Sequence, residues 1–153
     1  MRKLFLTVFY SGLSPKAPGT AGSFVSLILA IALIQVVPPS TIFLLAILIS
    51  VVAVKQINIY EKEVGEHDSK EIVIDELAGM WLAFTIAGAT ASNWILLAIL
   101  SFIFFRLFDI WKPSFIGKID RELSGGWGVM GDDILAGIVA GICASLVNYI
   151  LFI

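Results

Sequence analysis

The chain has 153 residues, 59% of them hydrophobic and 14% charged, with a formal net charge of -2 and a mean hydropathy of +0.98. Soluble domains carry charge on about a quarter of their positions, so this composition reads as a membrane protein with room for a single domain over residues 1–153. A basic nucleic-acid-binding face is excluded by the charge balance, and an internal disulfide or thiolate metal cage by the lone Cys143, which reads as a small buried thiol.

At the amino end, Arg2 and Lys3 precede a short apolar run. No small-residue cleavage site follows, so residues 1–13 read as a retained interfacial helix lying along the headgroups. Residues 14–23, Ser-Pro-Lys-Ala-Pro-Gly-Thr-Ala-Gly-Ser, form a glycine-containing loop into the first apolar stretch, residues 24–37. Pro38 and Pro39 break the chain before a second stretch, residues 41–59. A third, residues 77–91, begins directly after Asp75 and Glu76, and hydropathy leaves open whether it spans fully. Residues 90–93 turn the chain into residues 94–111, and the last stretch covers 134–153. The expected fold is therefore all-α, a polytopic membrane bundle of about four to five apolar helices.

If five helices alternate, all ten Lys and Arg residues fall on one side of the membrane, which the positive-inside rule makes cytoplasmic. The last stretch contains Gly137 and Gly141 at the spacing that lets helix backbones approach closely. Gly79 and Gly137 each lie one turn below a carboxylate, Asp75 and Asp133. This favours packing within the chain over dimerisation, and the oligomeric state stays open.

Carboxylates beside apolar helices are costly unless paired, hydrated or bound to a cation. Asp75, Glu76, Asp109, Asp132 and Asp133 are accordingly the candidate metal-binding or catalytic residues. One of Asp132 and Asp133 is expected to cap the last helix, and because two adjacent carboxylates exceed what a cap needs, the pair stays among the candidates. Hard oxygen donors suit magnesium, whereas the single His67, expected to face solvent, and the absence of ligand cysteines argue against zinc. Arg106, Asp109 and Lys112 recur every third residue and spread over roughly 120° of helix surface, so they look into one pocket. Two cations around a carboxylate suit a phosphate bridged to a metal. Residues 125–128, Gly-Gly-Trp-Gly, form a second glycine-containing loop on the charged side.

Four segments resemble the phosphatidylglycerophosphatase A family, and they occur in the family's order. They are residues 18–23 (Pro-Gly-Thr-Ala-Gly-Ser), 74–81 (Ile-Asp-Glu-Leu-Ala-Gly-Met-Trp), 105–113 (Phe-Arg-Leu-Phe-Asp-Ile-Trp-Lys-Pro) and 125–133 (Gly-Gly-Trp-Gly-Val-Met-Gly-Asp-Asp). The resemblance implies a magnesium-dependent enzyme of the bacterial inner membrane that converts phosphatidylglycerophosphate to phosphatidylglycerol and inorganic phosphate. It makes the five carboxylates metal-binding or catalytic candidates and Lys16, Thr20, Ser23, Arg106 and Lys112 candidate phosphate contacts. Ser114 and Phe115 depart from the family where relatives often carry a further proline. Water activated for in-line attack and direct attack by a carboxylate both remain open.

Other chemistries fit less well. A histidine-nucleophile phosphatase needs more than one mechanistic histidine. A membrane lipid phosphotransferase is the enzymatic alternative, but its Asp-Gly-x-x-Ala-Arg pattern is absent. A small cation carrier needs polar residues continuing through the bilayer, and residues 138–153 offer mainly Ser145 and Asn148.

Overall fold

The computed structural model describes residues 1–65, 69–113, 116–118, 123 and 125–152, with no strand among them. A short helix α1 (Arg2–Leu6) and a 3-10 turn (Ser11–Leu13) precede five longer helices. These are α2 (Pro18–Ile34), α3 (Pro39–Val64), α4 (Ile74–Ile86), α5 (Trp94–Trp111) and α6 (Gly126–Leu151). By length and composition α3, α5 and α6 can cross a membrane, and α2 is a shorter apolar helix. The expected helical membrane bundle is what forms. Proline opens both α2 and α3, where its fixed φ suits the first turn and its missing N–H leaves no bond unmade. The expected loop over residues 14–23 is thus half helix, because Pro18 starts the helix ahead of the hydropathic run.

The amino-terminal segment is not one interfacial helix over residues 1–13. α1 stops at Leu6 because Val8, Phe9 and Tyr10 have φ of +44°, +55° and +66°, a left-handed run that reverses the chain. Thr7 braces it: its Oγ1 accepts the Tyr10 N–H at 3.1 Å and its carbonyl accepts the Gly12 N–H at 3.0 Å. The Val73 N–H donates to the Leu6 carbonyl at 2.9 Å, and Arg2 pairs with Glu63. Lys3 Nζ lies 2.9 Å from Glu71 Oε2, a hydrogen bond that raises the lysine pKa above its ordinary value.

α4 is the centre of the bundle, with α2, α3, α5 and α6 packed around it. Ten of its residues are buried, from Ile74 to Phe84. At 1.5 Å per residue it is about 20 Å long, short of the roughly 30 Å of bilayer hydrocarbon. As a helix, the stretch after Asp75 and Glu76 is thus shorter than the hydrocarbon is thick. Its closest neighbour is α6. A Cβ on Gly137 would lie 2.3 Å from the Gly79 carbonyl oxygen, and one on Gly79 would lie 2.5 Å from the Asp133 carbonyl oxygen. Two backbones touch here without side chains between them, so the glycine pair packs inside the chain. On the other side, the Trp81 indole donates to the Ser26 carbonyl at 2.8 Å and ties α4 to α2.

Cys143 is half-buried, short of the burial expected of it, because it sits on an α6 flank beside the exposed Ile142. The expectations for His67, Ser114 and Phe115 fall outside the described residues.

Candidate active site

Asp75 and Glu76 occupy the first turn of α4, where the free N–H groups and the helix dipole favour negative charge. Glu76 is 7% exposed and held from two sides. Ser23 Oγ on α2 lies 2.6 Å from Glu76 Oε2 and 2.8 Å from the Gly19 carbonyl oxygen, so its single proton serves one acceptor at a time. Arg106 Nη1 on α5 donates to both Glu76 oxygens, at 2.9 and 2.7 Å. A Cβ on Gly19 would meet Glu76 Oε1 at 2.3 Å, so only glycine lets α2 begin this close to the carboxylate.

The last turn of α5 supplies the next groups. Arg106 Nη1 also reaches Asp109 Oδ2 at 2.6 Å, one turn along the helix. Lys112 ends α5 with φ of +42°, a strained backbone for a residue with a side chain, and its N–H closes on the Phe108 carbonyl at 2.9 Å. From there Lys112 Nζ reaches Asp132 Oδ2 at 2.6 Å.

Asp132 and Asp133 do not cap α6. The helix begins at Gly126, and its N-cap is Gly125. Asn58 of α3 supplies the missing acceptor, its Oδ1 receiving the Gly126 N–H at 2.8 Å. The expected glycine loop is thereby drawn into the helix, and both aspartates sit about two turns inside it, buried.

These elements enclose a polar cavity of about 200 Å³. All five candidate carboxylates line it, together with Lys112, Lys70 and Ser69. Glu76, Asp109 and Asp133 each offer an oxygen, and the three oxygens lie within 4.8 Å of one another. Among the described residues the cluster is of carboxylate oxygens, with no histidine or thiolate, and it fits a hard divalent cation. The expected phosphate contacts divide into three groups. Lys112 lines the cavity. Ser23 and Arg106 lie outside its lining and bind Glu76 instead. Thr20 is exposed on the first turn of α2, and Lys16 lines an adjoining pocket of about 410 Å³ that shares Pro18 and Lys70 with the first. Lys70 and Asn58 escaped the sequence reading. Lys70 carried a signal, its place in the charged segment before Asp75, whereas Asn58 carried none.

A family model described as phosphatidylglycerophosphatase A matches residues 4–148. The chain belongs to the phosphatidylglycerophosphatase A family. A protein of Escherichia coli named phosphatidylglycerophosphatase A is 37% identical over 133 residues, covering 86% of this chain and 74% of its own length. A Haemophilus influenzae protein of the same name is 34% identical and covers 92% of this chain and 85% of its own. A Bacteroides thetaiotaomicron protein with the provisional name phosphatidylinositol-3-phosphatase is 35% identical, covering 95% of this chain and 92% of its own. No solved structure matches. Membership of the phosphatidylglycerophosphatase A family makes the chain a phosphatase. The four segments that carried the resemblance all reach the cavity wall, through Pro18 and Gly19, Asp75 and Glu76, Asp109 and Lys112, and Val129, Asp132 and Asp133.

Proposed function

We propose that this chain hydrolyses the terminal phosphate monoester of phosphatidylglycerophosphate, releasing phosphatidylglycerol and inorganic phosphate, with magnesium held by Glu76, Asp109 and Asp133. The observation that carries this reading is the three-oxygen cluster within a cavity walled by five carboxylates. Among the described residues, Lys70 and Lys112 are the cations that line it, with Arg106 bound to two of the carboxylates from outside the lining. A phosphate dianion is repelled by such a site unless a divalent cation offsets the excess negative charge.

Bound there, magnesium supplies a Lewis acid that draws charge from the phosphoryl oxygens. The chain's own groups do the rest. Lys112 and Lys70 hold the phosphate by charge. Ser23 and Arg106 fix Glu76, and Arg106 fixes Asp109, so these carboxylates need no reorganisation when substrate arrives. Water attacks phosphorus as the bond to the glycerol oxygen breaks. Asp75 or Asp132 takes a proton from the water, and the departing glycerol oxygen is protonated in turn. The charged end of the bundle faces the cytoplasm on the positive-inside rule, in the bacterial inner membrane.

A carrier is disfavoured by what lies beneath the cavity. The buried hydroxyls of Ser26 and Ser50 are turned back to carbonyls of their own helices, and Ser101 bonds the Ala83 carbonyl. The test is phosphate release from phosphatidylglycerophosphate by the purified chain, with magnesium added or chelated. Chelation abolishes release and added magnesium restores it. Asp133→Asn and Asp109→Asn each lower the rate more than about 100-fold, beyond the 10–100-fold typical of groups that only support a ligand. Activity that survives chelation, or an Asp133→Asn enzyme at wild-type rate, refutes the assignment.

A further inference from the structure

Beside the polar site lies a second cavity of a different character. It measures about 550 Å³ and is walled by Leu4 and Phe5 of α1, Leu29 and Leu33 of α2, Ile49 of α3 and Trp81 of α4. α2 and α3 follow one another in sequence, yet each packs chiefly on α4 and they touch one another sparingly. The gap between them is floored by α4 and roofed by α1. Its volume is that of a small-molecule site, but its walls offer almost no polar atom. The one indole N–H nearby, on Trp81, is already donated to Ser26. A peptide would bury its N–H and C=O groups there without partners, which burial in an apolar site penalises. Hydrocarbon costs nothing of the kind.

We propose that this groove holds an acyl chain of the lipid whose phosphate enters the carboxylate cavity. The proposal rests on the phosphatase reading above and adds where the rest of the substrate lies. The first turn of α4 joins the two sites: Asp75 and Glu76 face the polar cavity, while Ile74 and Leu77 line the groove. On the cavity's side the neighbouring pocket is polar, with Lys16, Lys70 and Glu71 in its lining. The adjoining pocket shares Lys70 with the cavity and is closed by Gly12 and Leu13, a few residues after the Val8 and Phe9 that line the groove. Lys16 and Lys70 stand in that pocket, at the place where a lipid's phosphodiester would cross. The crossing is about one helix diameter, roughly 10 Å, which an extended glycerol–phosphodiester–glycerol headgroup covers. Phosphate, phosphodiester and hydrocarbon thus meet carboxylates with lysine, lysines, and apolar walls in turn.

The experiment uses phosphatidylglycerophosphate carrying a photoactivatable diazirine midway along one acyl chain, incorporated into vesicles with the full-length protein. Crosslinks to the wild-type chain concentrate on Leu29, Leu33 and Ile49. Crosslinks that fall equally on the outward α5 residues Ile95, Ile99, Ile103 and Leu107 overturn the proposal, because those side chains are exposed and line none of these cavities. In parallel, Leu33→Trp fills the groove from a half-buried position. It raises KM for the long-chain substrate by about tenfold or more and leaves the deacylated, water-soluble substrate unchanged. An equal loss on both substrates also overturns it. Should wild-type protein hydrolyse neither substrate, the phosphatase reading fails, while the crosslink map still decides the groove.

Discussion

Ser23 was expected to touch phosphate and instead is fully buried against Glu76. Its hydroxyl and the Arg106 guanidinium approach the same carboxylate oxygen, which fixes where Glu76 points before any ligand arrives. Ser23 is therefore a positioning residue, acting through Glu76 on whatever the carboxylate cluster holds. Ser23→Ala leaves Glu76 to Arg106 alone. The magnesium concentration giving half-maximal rate then rises about 10–100-fold, while kcat at saturating magnesium changes little. A merely structural serine would lower the folded fraction at every magnesium concentration alike. A magnesium titration of the rate, run on both proteins, separates the two outcomes.

At the scale of helices, the contact between α4 and α6 sets the spacing of the site. Gly79 and Gly137 bring the two backbones together one turn below the carboxylates, so Asp133 of α6 comes within ligand distance of Glu76 of α4. Gly137→Ala places a methyl 2.3 Å from the Gly79 carbonyl oxygen, and the helices must part. Overpacking of this kind costs about 1–3 kcal/mol. It is read as a lower unfolding temperature in detergent, with phosphate release lost out of proportion to the folded fraction. The glycine spacing was legible in the sequence, and so was α5, whose ends at Trp94 and Trp111 match the apolar run with its extension. The beginnings of α2 and α6 were not. Residues 18–23 are mostly small and residues 126–131 carry three glycines, and both runs are nearly neutral in hydropathy, so a hydropathic reading assigns them to loops although Pro18 and the Asn58 acceptor start helices there. Charge segregation gave away which carboxylates converge. The partners of Arg106, the reach of Lys70 and the burial of Ser23 depend on how each helix is rotated and how far apart its neighbours stand, which no local pattern records.

Across the whole molecule, antiparallel helices bring three amino-terminal ends and two carboxy-terminal ends to one charged face. The polar cavity draws its walls from α2, α4, α5, α6 and the segment before α4. Each carboxylate, the two lysines of its lining and the arginine that braces it thus belong to a single polypeptide. The central α4 is enclosed by neighbours from the same chain, so the clustered carboxylates Glu76, Asp109 and Asp133 come together within one copy. Cells that depend on this activity for phosphatidylglycerol are accordingly rescued by the wild-type gene alone. Two defective alleles, one carrying Asp109→Asn and the other Asp133→Asn, fail together as they fail apart, and growth on co-expression is the measurement that checks it.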